Sequence, residues 1–152
     1  MKLAVAKMLL ILCGWMWVMA SGVVLAQEIE DYVGAVRAYL EEQAGAPPSA
    51  EEIVDALNRR GFGIYQEGDY RAALVIAEQN YHYAESKLGS EHPGTLVSAN
   101  SLAYLYQSQG RYGEAEPLLR RALEGSEKVL GAEHPQTLVS VNALAYLYQS
   151  QG

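Results

Sequence analysis

The stretch Leu88–Gly110 reads LGSEHPGTLVSANSLAYLYQSQG, and 42 residues later Leu130–Gly152 reads LGAEHPQTLVSVNALAYLYQSQG. Of the 23 aligned positions, 19 are identical. A fixed period of this length marks a solenoid, whose units are each too small to bury their own apolar face and stack on a neighbour to do so. Such a chain is first of all a candidate binding surface.

The period extends backwards. Gly68 and Tyr70 precede Gly110 and Tyr112 by one period, Ala73 precedes Ala115, and Asn58 precedes Asn100 and Asn142. Residues 49–90 therefore read as a divergent first unit, 91–132 as a complete second unit and 133–152 as half of a third. Within each complete unit the apolar spacing is helical. Ser49-Ala50-Glu51-Glu52 has capping-box form and predicts a helix to about Gln66. Helices are expected over Arg71–Lys87, Pro93–Gln109, Gly113–Leu130 and from Pro135 onward, with proline tolerated in a first turn because its missing N–H would have had no partner there. Upstream, Gln27–Gln43 carries apolar residues at Ile29, Tyr32, Val33, Val36, Tyr39 and Leu40, one face of an amphipathic capping helix. Ala44-Gly45-Ala46-Pro47-Pro48 ends it, so residues 27–48 read as a helix and a proline-rich linker.

Composition narrows the function classes. The chain has 152 residues, half of them apolar and 19% charged, with a formal net charge of −7. Nucleic acid is not an expected partner, since phosphate contact needs clustered Lys and Arg. Lys2 and Lys7 precede an uncharged run from Met8 to Leu25, and Val24-Leu25-Ala26 offers a cleavage site. Residues 1–26 have the layout of a secretory signal peptide, which predicts an exported, periplasmic or secreted protein. The other reading is an uncleaved anchor, the only case in which a membrane is a partner. Without this segment the chain has 9 basic and 18 acidic side chains and no cysteine. A thiol enzyme or thiolate metal site is then excluded, and packing alone must hold the fold.

The second unit resembles a tetratricopeptide repeat of the 42-residue kind found in kinesin light chains. The residues that carry the resemblance are Leu102, Ala103, Tyr106, Gly110, Tyr112, Ala115, Leu119 and Ala122, with the inter-repeat loop Leu88-Gly89-x-Glu91-His92-Pro93-x-Thr95-Leu96. The half unit matches through Leu144, Ala145 and Tyr148. The first unit departs: Gly61 stands where Ala103 does and Arg60 where Leu102 does, so loose packing or a capping role is expected of it. The resemblance implies an all-α, right-handed superhelical array of about two and a half helix hairpins. It implies a groove lined by the first helix of each pair, which holds a peptide or partner helix, and no catalytic activity.

Three positions recur in one phase of successive first helices: Asn58, Asn100 and Asn142; then Phe62, Tyr104 and Tyr146 four residues on; then Tyr65, Gln107 and Gln149 at seven. Residues so spaced share a helix face. In repeats of the kind resembled, this face looks into the groove and its asparagines bond the backbone of a bound peptide. An amide offers both donors and an acceptor for that purpose. The alternative is that the asparagines join neighbouring helices, since a buried amide finds partners within the protein. The groove residues expected are Asn58, Asn100, Asn142, Tyr104, Tyr146, Gln107 and Gln149. They are neutral, so an acidic tail is not an expected ligand. His92 and His134 lie a whole repeat apart, each beside a glutamate and a proline, which suits loop capping rather than a metal site. No nucleophile elbow or phosphate loop is present, and neither cofactor nor metal is expected. The last helix lacks a second helix in this sequence, which raises two further expectations: a fragment of a larger scaffold or regulatory protein, or self-association through the unpaired helix.

Overall fold

The computed structural model describes residues 31–151. The expectations for residues 1–26 lie outside the described residues; the first helix, expected from Gln27, starts instead at Tyr32, because Asp31 caps it by accepting from the Gly34 amide. Six helices follow one another: α1 Tyr32–Ala44, α2 Ala50–Gln66, α3 Tyr70–Leu88, α4 Pro93–Ser108, α5 Tyr112–Leu130 and α6 Pro135–Ser150. Among the described residues there is no strand. The helices pair as antiparallel hairpins, α2 with α3 and α4 with α5, and α6 packs on α5. The first helices α2, α4 and α6 also touch one another in series, while α1 lies against α2 and α3.

Local chemistry explains where each helix begins. Ser49 Oγ accepts from the Glu52 amide at 3.2 Å, and the Glu52 carboxylate accepts from the Ser49 amide at 2.7 Å. Two otherwise unpaired amides at the N-terminus of α2 are thereby satisfied. The same bond from the Ser49 amide holds the Glu52 carboxyl below the usual carboxylate range. The loop histidines cap α4 and α6: His92 Nδ1 accepts from the Gly94 amide at 3.1 Å and His134 Nδ1 from the Gln136 amide at 3.2 Å. Since Nδ1 of His92 accepts, Nε2 carries the proton and donates to Glu51 Oε1 at 2.9 Å. Each inter-repeat loop leaves its helix through a glycine at φ 91°, Gly89 after α3 and Gly131 after α5. With ψ near 160°, that conformation is open to glycine almost alone.

The main core runs through α2 to α5 around Ile53, Leu57, Ile64, Ile76, Tyr81, Leu102 and Leu105. A smaller core of Ala103, Ala115, Leu119 and Leu147 seats α6. The first unit is well packed, contrary to the expectation raised by Arg60. Arg60 is exposed, and the volume is supplied one and two turns earlier by Leu57 and Ile53, which stand where the second unit has Ala99 and Thr95. Gly61 is buried, and a Cβ there would make an ordinary contact 3.4 Å from Ile76 Cγ2. Gly125 in the second hairpin is tighter: a Cβ would lie 2.6 Å from Leu96 Cδ2.

Candidate functional site

The stacking of α2, α4 and α6 places the recurrent residues in rows. Asn58 Nδ2 donates to Ser98 Oγ at 3.4 Å, and Asn100 Nδ2 donates to Ser140 Oγ at 2.7 Å. Each bond crosses from one unit to the next. The serine hydroxyls donate in turn to their own helix, Ser98 to Gly94 O at 3.0 Å and Ser140 to Gln136 O at 3.3 Å. Each serine oxygen therefore accepts from its asparagine, and the amide NH₂ is committed to the seam between units. Asn142, one period on, is exposed. Gln107 is also drawn into the seam: it is 6% exposed and its Nε2 donates to Ala143 O at 3.1 Å. Gln149, its counterpart, is exposed.

The aromatic row stays open. Phe62 is 61% exposed, Tyr104 49% and Tyr146 60%. The Tyr65 ring meets Tyr104 edge-on at 5.5 Å and Tyr70 at 5.1 Å, and the Tyr65 and Tyr104 hydroxyls lie 3.2 Å apart. That hydroxyl contact raises the Tyr65 phenol above its ordinary range. An aromatic ring supplies large apolar area at small entropic cost, so exposed rings gathered on one face are suited to contact.

Phe62, Tyr65 and Tyr104 border a cavity of about 330 Å³, walled also by Leu57 and Gly61 of α2, Ala77 and Asn80 of α3, Asn100 and Leu105 of α4, and Val139 and Ala143 of α6. Its lining is mainly apolar. Asn80 was not among the residues singled out from sequence: it lies on a second helix, outside the period-defined rows. Its equivalent one period later is Ala122, and that break in the repeat was the available signal. Asn80 is 1% exposed, and its Nδ2 donates to Val54 O at 3.3 Å and to Ser98 Oγ at 3.1 Å.

The back of the array is clamped by charged groups instead. Arg121 donates to the Tyr81 hydroxyl and to Glu85, each at 2.5 Å, tying α5 to α3. Tyr106 donates to Glu78 Oε1 at 2.9 Å, with the Arg111 guanidinium 4.2 Å from its ring centre. Burial, and then the bond to Glu78, push the Tyr106 phenol up to about 12. Charge is thus concentrated away from α4 and α6, neither of which contains an Asp, Glu, Lys or Arg. Among the described residues no group of three metal-ligating side chains is gathered in one place.

The fold and its rows define a helix-hairpin solenoid with an uncharged, aromatic face. Residues 95–136, one full period, match the tetratricopeptide repeat family model. Among solved structures, the chain is similar to one from Podosopora anserina described as a kinesin light chain with nearly identical TPR-like repeats. That match has 28% identity and a TM-score of 0.64, and covers 84% of this chain and 61% of the solved one. A single-substitution variant of the same protein matches with 26% identity and a TM-score of 0.58, covering 82% and 59%. The chain thus spans about three fifths of the length of those solved chains. A comparison with curated proteins finds no match. Residues 95–136 thus resemble a tetratricopeptide repeat, and the fold is similar to that of kinesin-light-chain-like repeats. Repeats of this fold commonly mediate protein–protein interaction and are ordinarily scaffolds rather than catalysts.

Proposed function

We propose that this chain is a non-catalytic binding module that holds a peptide segment or partner helix against the face of α2, α4 and α6. The observation that carries this reading is the exposed row of Phe62, Tyr104 and Tyr146, the first two bordering an apolar cavity, on helices two of which lack any charged side chain. Of the residues expected in the groove, Tyr104 and Tyr146 are open for contact. Asn58, Asn100 and Gln107 act as the frame that holds the rings in line, and Asn142 and Gln149 extend the same face on α6. In this reading residues 1–26 export the protein to the periplasm or the medium, or hold it to a membrane if retained.

The test is capture of partners from the native envelope or secretome by the wild-type chain and by a Phe62→Ala/Tyr104→Ala variant. The groove reading requires that specific captures vanish with the variant while the melting temperature stays within a few degrees. Captures that persist unchanged would sink it.

A second reading has its own observation. Leu138, Val141, Ala145 and Tyr148 are exposed on α6, whereas Leu96, Ala99 and Ala103, which stand one period earlier than the first three, are buried beneath α5. Self-association through this face, or a further helix of the α5 kind supplied by a longer scaffold, would bury it. Light scattering across concentrations decides the self-association case: a monomer throughout excludes it.

A further inference from the structure

In residues 27–152 oxidation has one obvious kind of target. The four methionines, both tryptophans and the one cysteine lie within residues 1–26, and all 11 tyrosines lie beyond them. Thiols and thioethers, which ordinarily take up oxidising equivalents, are therefore absent from the repeats, and no disulfide can form there. A one-electron oxidant meets phenols instead. The 11 tyrosines are spread over the helices, and among the described residues only Tyr65 and Tyr104 bring two phenol hydroxyls into contact, at 3.2 Å. Their ring centres are 5.5 Å apart, with the planes inclined at 69°. Tyr104 is exposed and Tyr65 half-buried. The pair spans the seam between α2 and α4, which is held by the bonds of Asn58 and Asn80 to Ser98. The second seam offers no such pair, because Gln107 stands where Tyr65 does, one period before it meets Tyr146.

We propose that Tyr65 and Tyr104 are a modification site, at which a one-electron oxidant joins the two rings into a dityrosine that ties the first unit to the second. The oxidant class is hydrogen peroxide acting through a haem peroxidase. Each phenol gives up one electron and one proton, leaving two phenoxyl radicals whose unpaired spin is shared with the carbons ortho to oxygen. A bond forms between one ortho carbon of each ring. The hydrogen on each of those carbons then moves to its own ring's oxygen as a proton, which restores both phenols. The pair has lost two hydrogen atoms in all, and one peroxide has been reduced to two waters. Proximity decides which radicals meet. Each ortho carbon is two bonds from its hydroxyl oxygen, so a 3.2 Å contact between the oxygens places reactive carbons within a small ring rotation of each other. Both rings stand on helices, so their encounter is pre-oriented rather than left to diffusion. Tyr70 is the competitor: its ring lies 5.1 Å from that of Tyr65, without a hydroxyl contact. A link between those two would close only the turn between α2 and α3. The Tyr65–Tyr104 link closes a loop of 39 residues across two units. The inference stands whether or not the face binds a peptide.

The experiment treats the full chain, at several dilutions, with a haem peroxidase and hydrogen peroxide, and isolates the monomer. Mass spectrometry of a tryptic digest should find the peptide carrying Tyr65 joined to that carrying Tyr104, two hydrogens lighter than their sum, with fragmentation assigning the joined tyrosines. The yield per chain should not change with dilution, whereas links between chains fade. Tyr65→Phe and Tyr104→Phe, each checked for folding by circular dichroism, should both abolish this species, and Tyr70→Phe should leave it. The oxidised monomer should melt roughly 10 °C higher than the untreated chain, since the link restricts the unfolded state. The wild-type digest decides the matter even if a variant fails to fold. Oxidised monomer whose links lie elsewhere, Tyr65 to Tyr70 included, overturns the inference. So does chain in which tyrosine is consumed only between molecules.

Discussion

Asn100 and Asn142 carry the same side chain at the same phase of two nearly identical helices, yet their roles differ. Asn100 bonds Ser140 in the next unit, while Asn142 is exposed. Asn100→Ala should therefore destabilise the chain by about 1–3 kcal/mol in urea unfolding, through loss of the seam bond. Asn142→Ala should stay within about 0.5 kcal/mol of wild type. Equal effects would mean that the amides do not join units. The alkaline titration of Tyr106 follows from its burial and its bond to Glu78. Its phenol is raised to about 12 from 10.0, so the folded state holds that proton more tightly than the unfolded state. The resulting stability is complete below pH of about 10 and is lost as pH rises from there through about 12. Ultraviolet titration of tyrosinate should show a late-ionising component that shrinks by one tyrosine in Tyr106→Phe.

At the scale of elements, the helices are set by short-range chemistry, and the approach of α5 to α4 by a small residue, Gly125. Gly63 lies within α2 with nothing near a would-be Cβ, whereas Gly125 of α5 lies against the buried Leu96. Gly63→Ala should stabilise by about 0.5–1 kcal/mol, the ordinary helix advantage of alanine. Gly125→Ala should lose that advantage to overpacking and destabilise by about 1 kcal/mol net. Chemical denaturation of the two variants side by side checks the contrast. Apart from the start of α1, capped by Asp31 and not begun at Gln27, helix limits were legible in the sequence within a residue or two: the Ser49 capping box, the His-Pro starts of α4 and α6, and the glycines at 89 and 131 are all local signals. The packing of the first unit was not, because Leu57 and Ile53 compensate for Arg60 from one and two turns away and against a second helix.

For the whole molecule, stability is shared between neighbouring units, as expected of a one-dimensional array. The larger core lies across α2 to α5, and the smaller one joins α6 to α5. Amide hydrogen exchange should accordingly find α3 and α4 the most protected and α1 and α6 the least. Uniform protection along the chain would contradict this gradient. Leu96 and Leu138 make the same point by mutation. They are one period apart, 1% and 46% exposed. Leu96→Ala should cost about 2–5 kcal/mol by opening a cavity, and Leu138→Ala well under half as much. If the two cost the same in dilute solution, α6 is covered there by a partner.

The sequence by itself determined the period, the helical units, the turns between them, and the neutrality of the recurrent face. Each depends on apolar spacing, caps and glycine conformations within a few residues. Only the tertiary structure decided which of that face's residues are tied between units and which stay open. Asn58 meets Ser98 and Asn100 meets Ser140 across 40 residues, which commits those amides to the seam and leaves the rings open. It also brought Asn80, from a different helix and outside the rows, to the wall of the cavity. The reason is that a residue's phase on its helix specifies a direction, but the partner it finds there is supplied by the next unit in the stack.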